Sequence, residues 1–288
     1  MGGSISELIG DRLAAMPAGE RRAAQALIAD YPLTGLKTVA EFASRAGVSS
    51  PTILRFVSRL DFHNYADFQS ALQSELIEQV QSPLLRTRRH SALPAGGLDQ
   101  FAEAVASNIE ETFAHFHAED MNRLTQILAD PKRSIHLIGG RFTDALASYM
   151  SAHLRIIRAD VQHVAGQESN WRDALVDMGK RDVLIIFDIR RYQESLFAFG
   201  KMAAGLGVTV ILFTDQWLSP IARLAKHTVT CRTAVPSAWD SSASLFAIVE
   251  VLVAQLTLEG GATAAKRIAG LEALRGGVPA PDGDRNAR

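Results

Sequence analysis

The sequence is poor in cysteine, in net charge and in long apolar runs. Its single cysteine, Cys231, excludes an internal disulfide and a cysteine-rich zinc site. The longest apolar run, Ala247 to Leu258, is interrupted by Glu250 and Gln255 and is shorter than the roughly 20 residues that cross a membrane. The first residues also lack a charged-then-apolar export segment. We therefore expect a cytoplasmic protein with no membrane partner.

Charge is nearly balanced along the chain. The 288 residues carry a formal net charge of -1, and residues 1–90 hold ten Lys plus Arg against nine Asp plus Glu. A nucleic-acid partner would therefore meet a local basic patch and not a basic domain. The length suffices for two domains. We divide the chain into a helical segment at residues 1–80, a linker at 81–99, an α/β domain at 100–275 and a tail at 276–288 that we expect to be disordered.

Residues 38–62, TVAEFASRAGVSSPTILRFVSRLDF, predict two short helices joined by a tight turn. Thr38 and Glu41 are spaced as a capping box for the first helix, and Gly47 suits the left-handed conformation that ends it. Ser50 is the expected N-cap of the second helix, because a proline follows it at a position that needs no backbone N–H. This arrangement is typical of a helix-turn-helix.

Helical spacing divides the second helix into a buried and an exposed face. Hydroxyl groups at an exposed helix N-terminus suit phosphate and base-edge contacts, and an arginine can reach a guanine edge. The alternative is an ordinary helical hairpin, because capped helix pairs are common. The residues expected to pack on Val39, Phe42 and Ala43 are Ile53, Phe56, Val57 and Leu60. The candidate DNA-binding residues are Ser49, Ser50, Thr52, Arg55 and Arg59.

Beyond the linker, short β-rich runs alternate with helices. The strands are nearly continuous in apolar character, as in VLIIF and VTVILF, which is expected when helices cover both faces of a sheet. We therefore predict an all-α head followed by an α/β domain with a five-stranded parallel sheet. The predicted strands are Ser134 to Gly139, Val161 to Val164, Asp182 to Asp188, Val208 to Phe213 and His227 to Cys231. The helices Phe101 to Phe116 and Ala238 to Glu259 are expected to flank the sheet and to supply subunit contacts.

Motifs for catalysis, cofactors and metals are missing. No nucleophile elbow, phosphate-binding P-loop or complete dinucleotide fingerprint occurs in the sequence. His115 and His117 are two residues apart and so lie on different faces of a helix, whereas a helical metal pair would be three or four apart. We therefore expect no catalytic residue, no cofactor and no metal. The basic run Arg86 to His90 is either a phosphate contact or, more commonly for such runs, a solvated segment.

Two parts of the chain resemble a known family. VAEFASRAGVSSPTILRFVSRLDFHNYADFQSAL in the head, and SIHLIGGRFTDALASYMSAHL, RDVLIIFDIRRYQESL and VTVILFTDQWLSPIARLAKHTVTC in the second domain, are similar to transcription regulators of the RpiR/MurR type. These regulators join an amino-terminal helix-turn-helix to a carboxy-terminal sugar isomerase (SIS) domain. The resemblance spans nearly the whole chain. One departure is Asp61, where the family usually has Gly; Asp can also occupy a turn.

The resemblance implies a carbohydrate-derivative site at the carboxyl ends of the first and third strands, but the residues there differ. The family holds a sugar phosphate with small hydroxyl residues and glycines, whereas RFT and FDIRRY stand at these positions here. Arg190 and Arg191 could supply another anion site, because guanidinium groups bind carboxylate or phosphate bidentately. Alternatively they pair with Asp188, Asp144 or Glu168, or lie at a subunit interface. The candidate ligand-binding residues are Gly139, Arg141, Thr143, Asp188, Arg190, Arg191 and Tyr192, with Glu168 and Ser241 as weaker additions and Thr214 and Ser219 as turn and cap residues.

Three functions remain open at this point. The resemblance favours a transcription regulator that binds a double-stranded DNA operator and senses a small effector, expected to be anionic and either a phosphosugar or a carboxylate. A second possibility is an SIS-type sugar-phosphate isomerase with Glu168 as its acid–base group. A third is a regulator whose SIS domain only dimerises. The missing serine cradle disfavours an enzyme. A symmetric regulator normally reads a two-fold related operator, so we expect a homodimer or homotetramer.

Overall fold

The computed structural model describes residues 4–80, 86 and 97–276. Residues 4–80, which we call the head, are helical, and their apolar positions meet in one core. Phe56 lies at its centre, with its ring edge-on to Phe42 at 6.1 Å and to Phe68 at 6.5 Å between centroids. The head helices are α1 (Ile5–Arg12), α2 (Ala18–Ala29), α3 (Val39–Ala46), α4 (Ser50–Arg59) and α5 (Tyr65–Val80).

The predicted helix-turn-helix is formed by α3 and α4. The Glu41 amide donates to the Thr38 hydroxyl at 3.2 Å and the Thr38 amide donates to the Glu41 carboxylate at 3.0 Å, so the capping box is present. Gly47 ends α3 with a φ of 62°. Asp61 follows α4 with a φ of 66°, the left-handed conformation that explains why the family favours glycine there.

The start of α4 differs from the prediction by one residue. Ser49, not Ser50, is the N-cap, because Ser49 keeps an extended backbone (φ -82°, ψ 154°) and its carbonyl accepts from the Thr52 amide at 2.9 Å. Ser50 is therefore the first helical residue. Its proline neighbour still lies in the first turn, where a missing N–H costs little.

Residues 97–276 form the predicted α/β domain. Parallel pairing connects the strands in the order β2-β1-β3-β4-β5. The strands are β1 (Ile135–Gly139), β2 (Val161–His163), β3 (Val183–Asp188), β4 (Thr209–Asp215) and β5 (His227–Cys231). The helices are α6 (Gly97–His115), α7 (Ala118–Ala129), α8 (Asp144–Ile157), α9 (Glu194–Gly205) and α10 (Ala243–Leu274), and 3-10 turns occupy Glu168–Asp177 and Pro220–Arg223.

Helices cover both faces of the sheet, as the apolar strands predict. One face packs Ile185 and Phe213 against α7, α8 and α10, and the other packs Ile186 and Leu212 against α9 and the Glu168–Asp177 turn. Every residue of β3 is buried. The strand order reverses between β1 and β3, so the connections from their carboxyl ends lead to helices on opposite faces of the sheet and leave a crevice of the kind that binds ligands in α/β folds.

Helix boundaries differ from the prediction at both ends of this domain. The helix predicted from Phe101 begins at Gly97, inside the predicted linker, while residues 81–85 and 87–96 lie outside the described residues. The helix predicted from Ala238 begins at Ala243, because residues 238–242 form a loop held by ion pairs of Asp240. Of the predicted tail, residues 277–288 lie outside the described residues.

Helix α10 is the one described helix whose length and composition would allow it to cross a membrane. Leu245, Ile248 and Leu252 are fully buried on its inner face, against the helices and strands of the sheet domain. Gly261 interrupts it with φ 45° and ψ -128°. One face of α10 therefore belongs to the core of the sheet domain, and 28% of its most apolar stretch is buried.

Candidate functional site

The exposed face of α4 is the first candidate site. The predicted inner face is confirmed: Ile53, Phe56, Val57 and Leu60 are buried. On the opposite side Arg55 is exposed and donates to the Thr52 hydroxyl at 3.1 Å. Thr52 also shares a hydrogen bond with the Ser49 hydroxyl at 2.9 Å. The N-terminal end of α4 thus presents hydroxyl groups and one guanidinium together.

Arg59 is also exposed on α4, with 42 % of its side chain accessible, but the head itself engages its guanidinium. Its Nε forms an ion pair with the buried carboxylate of Glu20 on α2, and its carbonyl accepts from Arg12. Thr52 also faces α2, since its methyl group lies 3.1 Å from where a Cβ on Gly19 would stand. Arg59 therefore fixes α4 to α2.

Two exposed residues of α4 were not among the predicted DNA contacts. Leu54 is 49 % exposed and Ser58 is exposed, and both flank Arg55 on the outer face. The spacing that identified the buried face also places these residues opposite it, so the sequence contained this signal. An exposed leucine beside an arginine suits a groove that offers thymine methyl groups as well as guanine edges.

The second candidate site is a cavity at the carboxyl ends of β1 and β3, where the crevice was expected. It has a volume of about 570 Å³, within the range of small-molecule sites. Gly139 and Tyr192 do not line it: Gly139 packs against the Thr143 backbone and the Tyr192 hydroxyl donates to Asp215 at 2.7 Å. The predicted residues that do line it are Arg141, Thr143, Asp188, Arg190 and Arg191. Lining residues absent from the prediction include Arg86, Phe142, Trp239 and Asp240.

Arg190 is held by protein groups. Its Nε lies 2.7 Å from the Asp240 carboxylate, and its guanidinium stacks on the Trp217 ring at 4.0 Å from the centroid. Asp240 also pairs with Arg86 at 3.1 Å. Arg190 is therefore paired with a carboxylate, as one alternative expected, and this carboxylate is Asp240. The Arg86 side chain is buried, whereas residues 87–90 of the basic run lie outside the described residues.

One buried carboxylate, Asp188, lines the cavity, and a second, Asp215, lies beside it at the end of the next strand. Burial raises the pKa of Asp188 to about 7, against the opposing hydrogen bonds from the Ser219 hydroxyl and the Gln193 amide. Burial also raises the pKa of Asp215 to about 6, although it accepts from the Tyr192 hydroxyl and from the Arg190 amide at 2.6 Å. These residues end neighbouring strands, and the charge of Asp215 adds to the rise at Asp188.

The remaining weaker candidates have local structural roles. Glu168 accepts from the Gln193 side chain and lines a neighbouring cavity, not the one described above. Thr214 accepts from the Ser219 amide at 3.1 Å, and the Ser219 hydroxyl caps the following 3-10 turn, so both are turn and cap residues as predicted. Ser241 does not line the cavity. No group of three metal-ligating side chains occurs in the described part of the chain.

Helix α1 connects the head to the sheet domain. The Ser6 hydroxyl donates to the Gln216 carbonyl at 2.6 Å, and the buried Glu7 carboxylate pairs with Arg232. Gln216 directly follows Asp215, the acceptor of the Arg190 and Tyr192 bonds behind the cavity. The cavity wall and the head therefore contact adjacent residues of one short turn.

Solved structures with this fold include transcription regulators. The sugar isomerase domain of an RpiR transcription factor from Sphaerobacter thermophilus is 21% identical, with a TM-score of 0.58 over 62% of this chain and 99% of that one. The Vibrio vulnificus NanR protein, complexed with ManNAc-6P, is 15% identical, with a TM-score of 0.54 over 92% and 97%. The c3406 protein of Escherichia coli CFT073 is 17% identical, with a TM-score of 0.51 over 61% and 95%. At these identities the likeness establishes the fold.

Family comparison identifies both domains directly. Residues 3–79 match the helix-turn-helix domain of the rpiR family, and residues 127–258 match the SIS domain. Comparison with curated proteins gives no match. The two matched domains follow one another in the order that the sequence resemblance implies, and they contain the two candidate sites. The chain therefore belongs to the RpiR-type transcription regulators, DNA-binding proteins that join an rpiR-family helix-turn-helix head to an SIS effector domain.

Proposed function

We propose that the outer face of α4 enters the major groove of the operator and that Arg55 makes the main base contact. The observation that carries this proposal is the exposed guanidinium of Arg55 beside the open N-terminal end of a helix whose other face is buried. Leu54 and Ser58 extend the contact surface, and the Ser49 and Ser50 end faces the phosphate backbone. Arg59 acts indirectly, by fixing α4 to α2 through Glu20.

A DNA-retardation assay on the protein's own promoter region tests this assignment. Arg55→Ala is expected to weaken specific binding by about 1 to 3 kcal/mol, because one arginine–base contact is lost. The matched control is Arg172→Ala, which removes an exposed positive charge from the SIS domain. Equal losses for both variants, or no loss for Arg55→Ala, would remove Arg55 from the DNA-binding face.

We propose further that the SIS cavity binds a small anionic metabolite. Four arginines line it against two aspartates, so its lining favours negative charge. The NanR protein complexed with ManNAc-6P is a precedent for a bound sugar phosphate, an anion, in a protein of this fold. Binding would act on the head through the turn at Asp215 and Gln216, because Asp215 accepts from the Arg190 amide of the cavity wall and Gln216 accepts from Ser6 of α1. We place this function in the cytoplasm, where the operator is.

An isomerase remains the second candidate because of one observation. Asp188 lines the cavity and its pKa of about 7 suits an acid–base group at neutral pH. Both of its oxygens, however, already accept hydrogen bonds, from Gln193 and Ser219. We propose that the protein is not an enzyme. Turnover of aldose phosphates by the wild type, abolished in Asp188→Asn, would contradict this.

We propose that the regulator works as a homodimer in which α6 contributes to the interface. Asn108 and Thr112 of α6 are buried against their own domain, whereas Leu98, Phe101 and Phe113 are exposed. An apolar surface of this kind is typical of a protein interface. Analytical ultracentrifugation of Phe101→Asp should show a smaller species than the wild type. An unchanged sedimentation coefficient would exclude α6 from the interface.

A further inference from the structure

The inner wall of the SIS cavity has few donors left for a phosphate. The Gln193 amide donates to Asp188, and the Arg190 amide donates to Asp215 at 2.6 Å. After β1, the Gly140 amide donates to the Thr143 hydroxyl at 2.8 Å, and that hydroxyl donates to the Phe187 carbonyl at 2.6 Å. Protein acceptors therefore occupy the N–H and O–H groups that would otherwise surround a phosphate.

Cations remain at the outer part of the cavity. Arg141 and Arg191 both line it and both are exposed, and neither forms an ion pair with any described carboxylate. Arg191 has a φ of 59°, so the loop after β3 turns at this residue in a conformation that is unfavourable for a β-carbon. These two guanidinium groups differ from those of Arg86 and Arg190, which both pair with the Asp240 carboxylate.

Two aromatic side chains lie next to these cations. Phe142 is 64 % exposed and Trp239 is 57 % exposed, although both line the cavity. Their rings meet edge-on, with centroids 5.7 Å apart, and the Arg141 guanidinium lies 5.3 Å from the centre of the Phe142 ring. Large exposed aromatic groups beside unpaired arginines are typical of a site that binds a flat, apolar anion.

We propose that the effector of this SIS domain is an aromatic carboxylate, with its ring against Phe142 and Trp239 and its carboxylate on Arg141 and Arg191. The proposal rests on the anionic-effector function above and narrows its chemical class. A planar guanidinium fork matches a carboxylate in a bidentate geometry. The aromatic ring replaces the sugar hydroxyl contacts that the small residues of the family would make.

Calorimetric titration of the full chain tests this class. The probes are phenylacetate and indole-3-acetate, with phenylacetamide as a neutral isostere of the former and glucose 6-phosphate as a phosphosugar. Both carboxylates should bind, and phenylacetamide should bind at least about tenfold more weakly than phenylacetate because it cannot form the charge-assisted bonds. Glucose 6-phosphate should not bind.

Substitutions in the cavity identify the side chains that contact the ligand. Trp239→Ala should weaken phenylacetate binding about tenfold through loss of the ring contact, and Arg191→Asn should weaken it by a similar factor. Asn is chosen because it tolerates a positive φ. Val176→Ala and Arg172→Ala are the matched controls, since they shorten an exposed apolar and an exposed cationic side chain outside the cavity. Both controls should bind as the wild type does.

Three results would overturn the inference. Binding of glucose 6-phosphate without the carboxylates would refute the ligand class while leaving an anionic effector in place. Equal binding of phenylacetamide and phenylacetate would refute the role of the arginines. Failure of every probe, tested up to about 10 mM by calorimetry and by thermal shift, would also overturn it. The DNA-binding function is judged separately, by the promoter assay with Arg55→Ala.

Discussion

The Asp188→Asn variant offers a quantitative check on the cavity's electrostatics. Burial raises the pKa of this carboxyl from 3.8 to about 7 in the folded protein. The folded state therefore binds the proton more tightly than the unfolded chain does. The resulting stabilisation is fully present below about pH 4 and is lost as the pH rises through about 7, with a total of about 4 kcal/mol.

Between about pH 5 and about pH 8 the unfolded carboxyl is ionised throughout, while the folded one loses its proton. At about 1.4 kcal/mol per pH unit, Asp188 should make the wild type about 2 to 3 kcal/mol less stable at the upper pH than at the lower one. Asp188→Asn removes this contribution, and its amide can still accept from the Gln193 N–H. The variant should therefore show a flatter pH dependence and greater stability at about pH 8.

Tryptophan fluorescence during urea unfolding is the suitable measurement. Trp171, Trp217 and Trp239 are the only tryptophans, and all lie in the SIS domain, so the signal reports that domain alone. Asp173→Asn, at an exposed carboxyl of the same domain, is the control and should keep the wild-type pH dependence. If Asp188→Asn has the same slope as the wild type over this range, burial does not hold the proton on Asp188 and the reasoning fails.

Two other substitutions test the head. Arg232→Ala removes the charged partner of the buried Glu7 carboxylate, which then keeps the hydrogen bond from the Ser4 amide; loss of one member of a buried ion pair typically costs about 3 to 5 kcal/mol. The head should then unfold at lower urea concentration than the SIS domain, seen as circular dichroism loss before the fluorescence change. If both signals change at the same urea concentration, the Glu7–Arg232 ion pair does not stabilise the head and the prediction is wrong. Asp61→Ala should be less stable than Asp61→Gly by about 1 to 2 kcal/mol, because only glycine adopts a φ of 66° without strain; equal midpoints in thermal unfolding would count against a strained turn.

Local patterns in the sequence predicted the elements well. The strand His227–Cys231 and the capping box at Thr38 follow from neighbouring residues, and both are confirmed. The N-cap of α4 was wrong by one residue because Ser49 and Ser50 are both good caps, and only the backbone hydrogen bonds of the folded turn distinguish them. Local sequence patterns thus predict whether an element is a helix or a strand more reliably than they predict the residue at which it begins.

The pairing inside the cavity could not be read from the sequence. Arg190 and Asp240 are 50 positions apart in the sequence, and Arg86, which pairs with the same carboxylate, is 154 positions from it. Such contacts depend on how β5 and α10 bring their connecting loop over the sheet. Trp239 was missed for the same reason, since its loop was predicted as helix and a helical residue there would not cover the crevice.

The position of α1 has a practical consequence for engineering. Ser6 and Glu7 precede the DNA-binding helices, yet they contact Gln216 and Arg232 far along the chain. A hybrid regulator made by exchanging heads between relatives must therefore transplant this short leading helix with its two receiving positions. An affinity tag fused immediately ahead of Ser4 would lie close to these contacts between the domains, because that serine is itself buried.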